Sequence, residues 1–317
     1  MKRKMLNVPK GGYDGMKGFT IVEFLVAGLL SVIVLIAVVS SYFTSRKLND
    51  AANERLAIQQ DLRNAATLIV RDARMAGSFG CFNMSEHTEK DVFFGVTQKK
   101  PLFSLKPLFS LKRNSTNKLI PIAESPNIGY QGFTQRLNAL IFQYGIDDAN
   151  ASAETTVVSS CGAISKPGKQ IPTLEDAKKE LKIQDSDKEQ NGNIARQRHV
   201  VNAYAVGRFG NNEEGLFRFQ LDDKGEWGNP QLLAKKVKRM DVRYIYVSGC
   251  PEDEDAGKEE QFKYTGKFDS SVTPAGVEVL LDSGSDAKIA ASSDNIIYAY
   301  RINATIRGGN VCANRTL

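Results

Sequence analysis

A single acidic residue stands in the longest apolar run of this sequence and is its clearest candidate for a chemical role. The run covers residues 19–39 and has Glu23 as its one charged side chain. A carboxylate is costly inside an apolar helix, so an acid at this position usually has a partner. We therefore expect Glu23 either to pair with a cation or to reach the polar boundary near the start of the run.

Cysteine and histidine are the other residue types that could bind a metal or form a covalent link. The two histidines, His87 and His199, have no compact zinc-type spacing to a cysteine, so we expect no metal site. All cysteines follow the apolar run, and in an exported domain they would favour disulfide bonds. Four cysteines allow three connectivities, and we adopt the sequential one as a working hypothesis: Cys81–Cys161 and Cys250–Cys312.

Sequence motifs of the common enzyme classes do not occur in this chain. It has no P-loop, no nucleophile elbow, no zinc-protease motif and no glycine-rich dinucleotide fingerprint. We therefore expect neither an enzyme nor a bound cofactor.

One dense basic stretch raises the alternative of nucleic-acid binding. It lies beside Tyr244 and Tyr246 and consists of Lys235, Lys236, Lys238, Arg239 and Arg243. Clustered cations with nearby aromatic rings are typical of DNA-binding surfaces, because they neutralise phosphates and stack on bases. Side chains alternate across a strand, however, so these groups would be divided between two faces. DNA is therefore kept as a minor alternative partner.

The apolar run is long enough to cross a membrane once. Its 21 residues would form a helix of about 31 Å, close to the ~30 Å hydrocarbon core of a bilayer. The 18 residues before it carry a net charge of +4, out of +6 for the whole chain. The positive-inside rule then places the N-terminus in the cytoplasm and the chain after the run across the membrane. A cleaved signal peptide, cut near Ser40 and Ser41, is the alternative.

The helical pattern continues beyond the apolar run. Residues 42–76 contain no proline or glycine, and their apolar residues recur every three or four positions at Ile58, Leu62, Ala66, Ile69, Ala73 and Ala76. Gly77 and Gly80 then favour a stop. We predict one helix over 19–76, of which 19–41 spans the membrane and the remainder packs on a folded domain.

The chain after Gly77 predicts a β-rich domain over 77–317. Runs of β-branched and aromatic residues predict strands at 138–144, 155–159, 199–206, 215–221, 237–247, 277–281 and 295–306. An antiparallel sheet against the second half of the helix gives an α+β fold. Two polar tracts, 165–195 and 251–261, predict surface loops, and the repeated KPLFSL within 100–111 predicts a local expansion of a loop.

The start of the chain resembles the type IV prepilin cleavage motif. In the segment KGFTIVEF, Gly18 precedes the cut, Phe19 follows it, and Glu23 is the fifth residue of the mature chain. The resemblance implies a type IV pilin-like fold, a leader over 1–18 that prepilin peptidase removes, and N-methylation of Phe19. It also implies that Glu23 forms a salt bridge with the N-terminal ammonium of a neighbouring subunit during assembly.

A second segment points to one group within that family. VRDARMAGSFGCF at 70–82 resembles the helix end of PilW-family minor pilins, where an Arg-Asp-x-Arg-x-Ala-Gly segment runs into Gly-Cys. This implies a minor pilin that is stored in the inner membrane, helps to initiate type IV pilus assembly and sits at the pilus tip. The implied partners are the major pilin, minor pilins of the PilV, PilX and FimU types, and a PilY1-like tip adhesin. The alternatives are a GspJ-type pseudopilin of type II secretion and a tip adhesin or DNA-binding subunit.

Overall fold

The structure is a computed structural model that describes residues 18–93, 119, 121–148, 150–168, 171–184, 186, 193–210, 213–228, 230–248, 261–269, 272–282 and 300–306. Several sequence predictions fall outside this part of the chain. They are the leader before Gly18, the repeat within 100–111, nearly all of the polar tract at 251–261, and the pair Cys250–Cys312.

The first element is the predicted long helix, α1 (Ile21–Met75). Its observed bounds lie within two residues of the predicted ones. The helix ends because Gly77 takes a left-handed φ of +79°, a conformation that glycine adopts without steric cost. A Cβ at Gly77 would also approach Pro121 Cβ to 3.0 Å. The freed amide of Gly77 donates a 2.8 Å hydrogen bond to the Gln143 carbonyl, which ties the helix end to the sheet.

Internal contacts divide the chain into two units, Met1–Ala57 and Ile58–Leu317. In the first unit, the large apolar side chains of α1 are exposed along its first half, including Phe24 at 74% and Leu29 at 63%. In length and composition α1 qualifies as a membrane-crossing helix. The prediction of a helix able to span a membrane is confirmed at this level, and its apolar surface needs an apolar environment.

The larger sheet of the second unit is a mixed nine-stranded sheet built around one long central strand. The strands are β3 (Val92–Phe93), β4 (Ile122–Ser125), β5 (Phe133–Gln135), β6 (Ala139–Ile146), β7 (Thr156–Ser159), β8 (Ile164–Ser165), β9 (Ala195–Phe209), β10 (Glu213–Gln220) and β11 (Gln231–Lys235). The central β9 pairs with β5, β6, β7 and β10, all antiparallel. The pair of β3 with β8 is parallel. This pairing sets Tyr204 of β9 opposite both Leu140 of β6 and Arg218 of β10.

A hairpin and a second sheet complete the β structure of this unit. The hairpin β1 (Ser78–Phe79) and β2 (Phe82–Asn83) follows α1 directly. The second sheet is antiparallel in the order β13-β12-β14-β15 and consists of β12 (Arg239–Ser248), β13 (Gln261–Thr265), β14 (Gly276–Asp282) and β15 (Tyr300–Thr305). The main core joins both sheets to α1, with Leu62 and Ile69 of the helix beside Phe142, Tyr204 and Val279. The predicted α+β class is confirmed, but the single antiparallel sheet that was expected is replaced by a mixed sheet and a second, antiparallel one.

One predicted loop contains regular structure instead. The polar tract at 165–195 includes a second helix, α2 (Leu174–Leu181), whose Ala177 and Leu181 are buried in a small core with Val158. Thr173 caps this helix, because its hydroxyl accepts a hydrogen bond from the Asp176 amide at 3.1 Å. A short amphipathic helix needs few apolar residues, so the polar composition of the tract concealed it.

Candidate functional site

The residues of the predicted cleavage motif lie at the start of α1. Gly18 and Phe19 are both exposed, Phe19 with 85% of its surface accessible. They precede the first helical residue, Ile21, so the Gly18–Phe19 peptide bond lies outside the helix. A protease requires such an accessible, non-helical bond, and this geometry is therefore compatible with cleavage there.

Glu23 and Thr20 form a reciprocal capping box at this helix start. The Glu23 carboxylate accepts hydrogen bonds from the Thr20 amide at 3.0 Å and from the Thr20 hydroxyl at 2.9 Å. In return, the Thr20 hydroxyl accepts a 3.3 Å hydrogen bond from the Glu23 amide. The sequence pattern Thr-x-x-Glu is the signature of this cap. Glu23 thus has a local partner in its own chain, which the sequence reading overlooked.

The second polar group of interest is Asp72, which is fully buried among the apolar residues of α1. It lies on the face of the helix that packs on the sheet, next to Ala73 and one turn from Ile69. A buried, unpaired carboxylate would be very costly, so the sheet must supply partners. Asp72 was part of the motif quoted above, but sequence reasoning assigned it no role.

Both carboxylate oxygens of Asp72 are saturated with hydrogen bonds. Tyr144 donates to Oδ1 at 2.8 Å, while Asn202 and Tyr204 donate to Oδ2 at 2.8 Å and 2.5 Å. Arg71 donates to Oδ1 through Nε at 3.1 Å and Nη2 at 2.9 Å, and Arg218 Nη2 lies 3.6 Å from Oδ2. One side chain of α1 therefore joins three strands, β6, β9 and β10.

This arrangement changes the proton affinity of the tyrosines around Asp72. Burial, followed by the negative charge of Asp72, raises the pKa of Tyr144 to about 12. The same two causes raise the pKa of Tyr204 well above its ordinary range. Both phenols therefore act as neutral hydrogen-bond donors to the Asp72 carboxylate at physiological pH. The Asp72 cluster therefore has a structural role, as a junction between α1 and the sheet.

Immediately beyond α1, the hairpin is covalently attached to the sheet. Cys81 and Cys161 form a disulfide across 80 residues of sequence. The first pair of the sequential hypothesis is thus confirmed. The adjacent Gly80 has a left-handed φ of +65°, and a Cβ there would come within 2.8 Å of Ala195 Cβ. Backbone conformation and close packing therefore explain the glycine of the Gly-Cys pair that follows the helix.

His199 is a buried histidine of β9, with 4% of its surface exposed. Its Nε2 lies 3.2 Å from Gln143 Oε1, and its ring is 5.8 Å from that of Phe79. Burial lowers the pKa of His199 to about 3 from an ordinary value of 6.5. The imidazole is therefore neutral in the folded protein under physiological conditions.

The neutral state of His199 predicts acid sensitivity. Between about pH 6.5 and pH 3 the unfolded chain binds a proton that the folded chain excludes, so each pH unit of acidification should lower the free energy of unfolding by about 1.4 kcal/mol. Carboxylates also titrate in this range, so the test is the difference between wild type and His199→Gln in urea unfolding at pH 7 and pH 5. The control variant is His87→Gln, which makes the same change at the half-buried second histidine. Equal pH slopes for wild type and His199→Gln would contradict the prediction.

Two of the five cations in the basic stretch considered for DNA form ion pairs within the protein. Arg239 Nε lies 2.7 Å from Asp241 Oδ2, and Arg243 Nη1 lies 3.2 Å from Glu278 Oε2. Tyr244 is buried, and its hydroxyl donates to Glu124 Oε1 at 2.6 Å. These contacts reduce both the free positive charge and the aromatic surface that phosphates and bases would need.

Comparison with known proteins assigns neither a family nor a function to this chain. No protein-family model, no curated protein and no solved structure matches this chain significantly. Within the part of the chain that the structure describes, no group of three or more His, Cys, Asp or Glu side chains could hold a metal ion. Function is therefore inferred from the exposed start of α1 and from the Asp72 junction.

Proposed function

We propose that this protein is a structural subunit of a type IV pilus, a minor pilin similar to the PilW family. The observation that carries the proposal is the combination of an accessible Gly18–Phe19 bond with a long apolar helix directly behind it. A prepilin peptidase would cut that bond and leave α1 as the membrane anchor of the mature chain. The membrane would shield the apolar side chains that are exposed on the first half of α1.

The proposed orientation puts the second unit outside the cytoplasm. Five of the first 18 residues are Lys or Arg, which favours a cytoplasmic N-terminus in the inner membrane. The disulfide between Cys81 and Cys161 fits an oxidising compartment, since such bonds are rare in the cytosol. Both features support export of the β-rich unit to the periplasm and then to the pilus tip.

The 70–82 segment supports the narrower proposal of a minor pilin. Four of the seven fixed residues of the PilW-like pattern have a clear physical role in this chain: Asp72 joins α1 to three strands, Gly77 ends the helix, Gly80 permits the hairpin turn, and Cys81 forms the disulfide. On this proposal the partners are the peptidase, the major pilin, other minor pilins and a PilY1-like adhesin. A GspJ-type pseudopilin is the nearest alternative, because it would use the same N-terminal motif.

The decisive test is the N-terminus of the protein extracted from its native membrane. With prepilin peptidase present we expect a mature chain that begins at methylated Phe19, and without the enzyme we expect the uncut chain. Intact mass and N-terminal sequencing give both answers. An uncut chain in peptidase-positive cells, or a start beyond Ser41, would leave a signal-anchored or secreted domain instead. Deletion of the gene then separates the alternatives, since loss of pili indicates assembly, and loss of secretion alone indicates a pseudopilin.

A further inference from the structure

The face of α1 that packs on the sheet has few large side chains, so packing alone does little to fix the helix at one position along its axis. Its buried residues include three alanines, so the ridge they form is shallow, and the full set is Leu62, Ala65, Ala66, Ile69, Asp72 and Ala73, followed by the buried Ala76 just past the helix end. Apolar residues recur at three- and four-residue spacing along this face. A shift of the helix by one turn, about 5.4 Å, would therefore place apolar side chains on apolar side chains again.

Asp72 is the residue of this face that distinguishes one position of the helix from the next. A one-turn shift would bring Ile69 or Ala76 opposite the donors of Tyr144, Asn202 and Tyr204. The two tyrosine hydroxyls would then lose their acceptor, and the Asn202 amide would keep only its 3.1 Å hydrogen bond to the Tyr144 hydroxyl. The shift would also move the carboxylate into apolar surroundings. Leaving a buried polar group unpaired costs free energy, and a single buried polar residue can therefore set the register of packed elements.

The register of α1 decides where Cys81 lies. Cys81 follows Asp72 by nine positions, and its Cα lies 4.7 Å from that of Cys161. A disulfide requires Cα atoms within about 7 Å, so a displacement of about 5.4 Å that is directed across or away from the line to Cys161 would take the two cysteines out of range. We propose that the Asp72 junction sets the helix register and thereby directs Cys81 to Cys161 during oxidative folding.

This role does not depend on the proposed function and can be measured in the isolated full-length chain. The reduced, denatured protein is refolded in detergent with oxidised glutathione. Each disulfide formed takes two electrons and two protons from a pair of thiols and reduces one glutathione disulfide to two thiols. Remaining thiols are blocked with iodoacetamide, and peptide mapping by mass spectrometry gives the fraction of Cys81 that is linked to Cys161 rather than to Cys250 or Cys312.

Two matched tyrosine variants isolate the junction from general stability. Tyr204→Phe removes the buried 2.5 Å bond to Asp72, whereas Tyr244→Phe, at an equally buried ring, removes a part-buried 2.6 Å bond to Glu124, which lies on β4 and not on α1. Both rings keep an aromatic neighbour, Phe142 and Phe268 respectively. We expect Tyr204→Phe to raise the ratio of mispaired to native Cys81 about five-fold, the effect of one net hydrogen bond, and Tyr244→Phe to leave it near the wild-type value.

Every outcome of this comparison decides the proposal. A rise confined to Tyr204→Phe supports register control by Asp72, and Asp72→Asn should move the ratio in the same direction. An equal rise in both tyrosine variants would mean that pairing follows overall stability. No rise in either variant, or a wild-type protein that lacks the Cys81–Cys161 link, would equally overturn the proposal. If Tyr204→Phe fails to refold, the ratio is read early in oxidation from Asp72→Asn.

Discussion

Replacing Glu23 with alanine is expected to remove the protein from filaments while leaving its cleavage intact. In the proposed assembly, the charge of Glu23 pairs with the N-terminal ammonium of a neighbouring subunit. A free α-amine has a pKa near 8, so it is cationic at neutral pH and is costly to leave unpaired among apolar helices. We expect the amount of Glu23→Ala in sheared pili to fall roughly ten-fold or more, as measured by immunoblot against the membrane fraction.

The capping box makes a sharper comparison possible. Alanine removes both the charge and the cap, whereas Glu23→Gln removes only the charge, since glutamine also serves at this capping position. Thr20→Ala removes the capping hydroxyl and keeps the Glu23 carboxylate. If the charge is what matters, Glu23→Gln fails to assemble and Thr20→Ala assembles. If Glu23→Gln enters pili normally, the role of Glu23 is to start the helix, and the proposed salt bridge is wrong.

Local patterns in the sequence were sufficient to predict the long helix and the longer strands of the fold. Uninterrupted helix-forming residues predicted α1, and runs of β-branched and aromatic residues predicted strands such as β6 and β12. The same reasoning missed β13 at Gln261–Thr265, which begins at the last residue of an acidic tract assigned to a loop. It also missed α2, although Thr173 and Asp176 carry a recognisable cap. Short elements depend on tertiary packing, and composition averaged over a polar tract conceals them.

The Asp72 junction shows a different limit of sequence reasoning. An acid at a stripe position of an otherwise apolar helix face signals a buried partner, and this signal was present in the sequence. The partners themselves lie 72, 130 and 132 positions further along the chain, at Tyr144, Asn202 and Tyr204. No local period links positions so far apart. Identifying them requires the strand pairing that sets β6, β9 and β10 side by side.

Asp72→Ala is expected to produce the largest loss of stability of any variant considered. Removing one partner from a buried, hydrogen-bonded ionic cluster costs about 3–5 kcal/mol, because the remaining groups are left unpaired. Here those groups are Arg218, Asn202 and two tyrosine hydroxyls. A typical domain has only about 5–15 kcal/mol of stability, so the variant should lose a large share of it. The measurement is urea unfolding of the full chain in detergent, followed by fluorescence of Trp227, its single tryptophan.

Asp50→Ala is the matched control, since it changes the same residue type in the same helix. Asp50 has a side chain 72% exposed and a 4.0 Å contact with Arg46, and such a surface change is expected to stay within about 0.5 kcal/mol. Asp72→Asn then separates charge from shape, because it keeps one acceptor oxygen but places an amide against Arg218 or Tyr204. A loss for Asp72→Ala no greater than that for Asp50→Ala would show that apolar packing alone holds α1 to the sheet, and the junction would then have no part in fixing the helix.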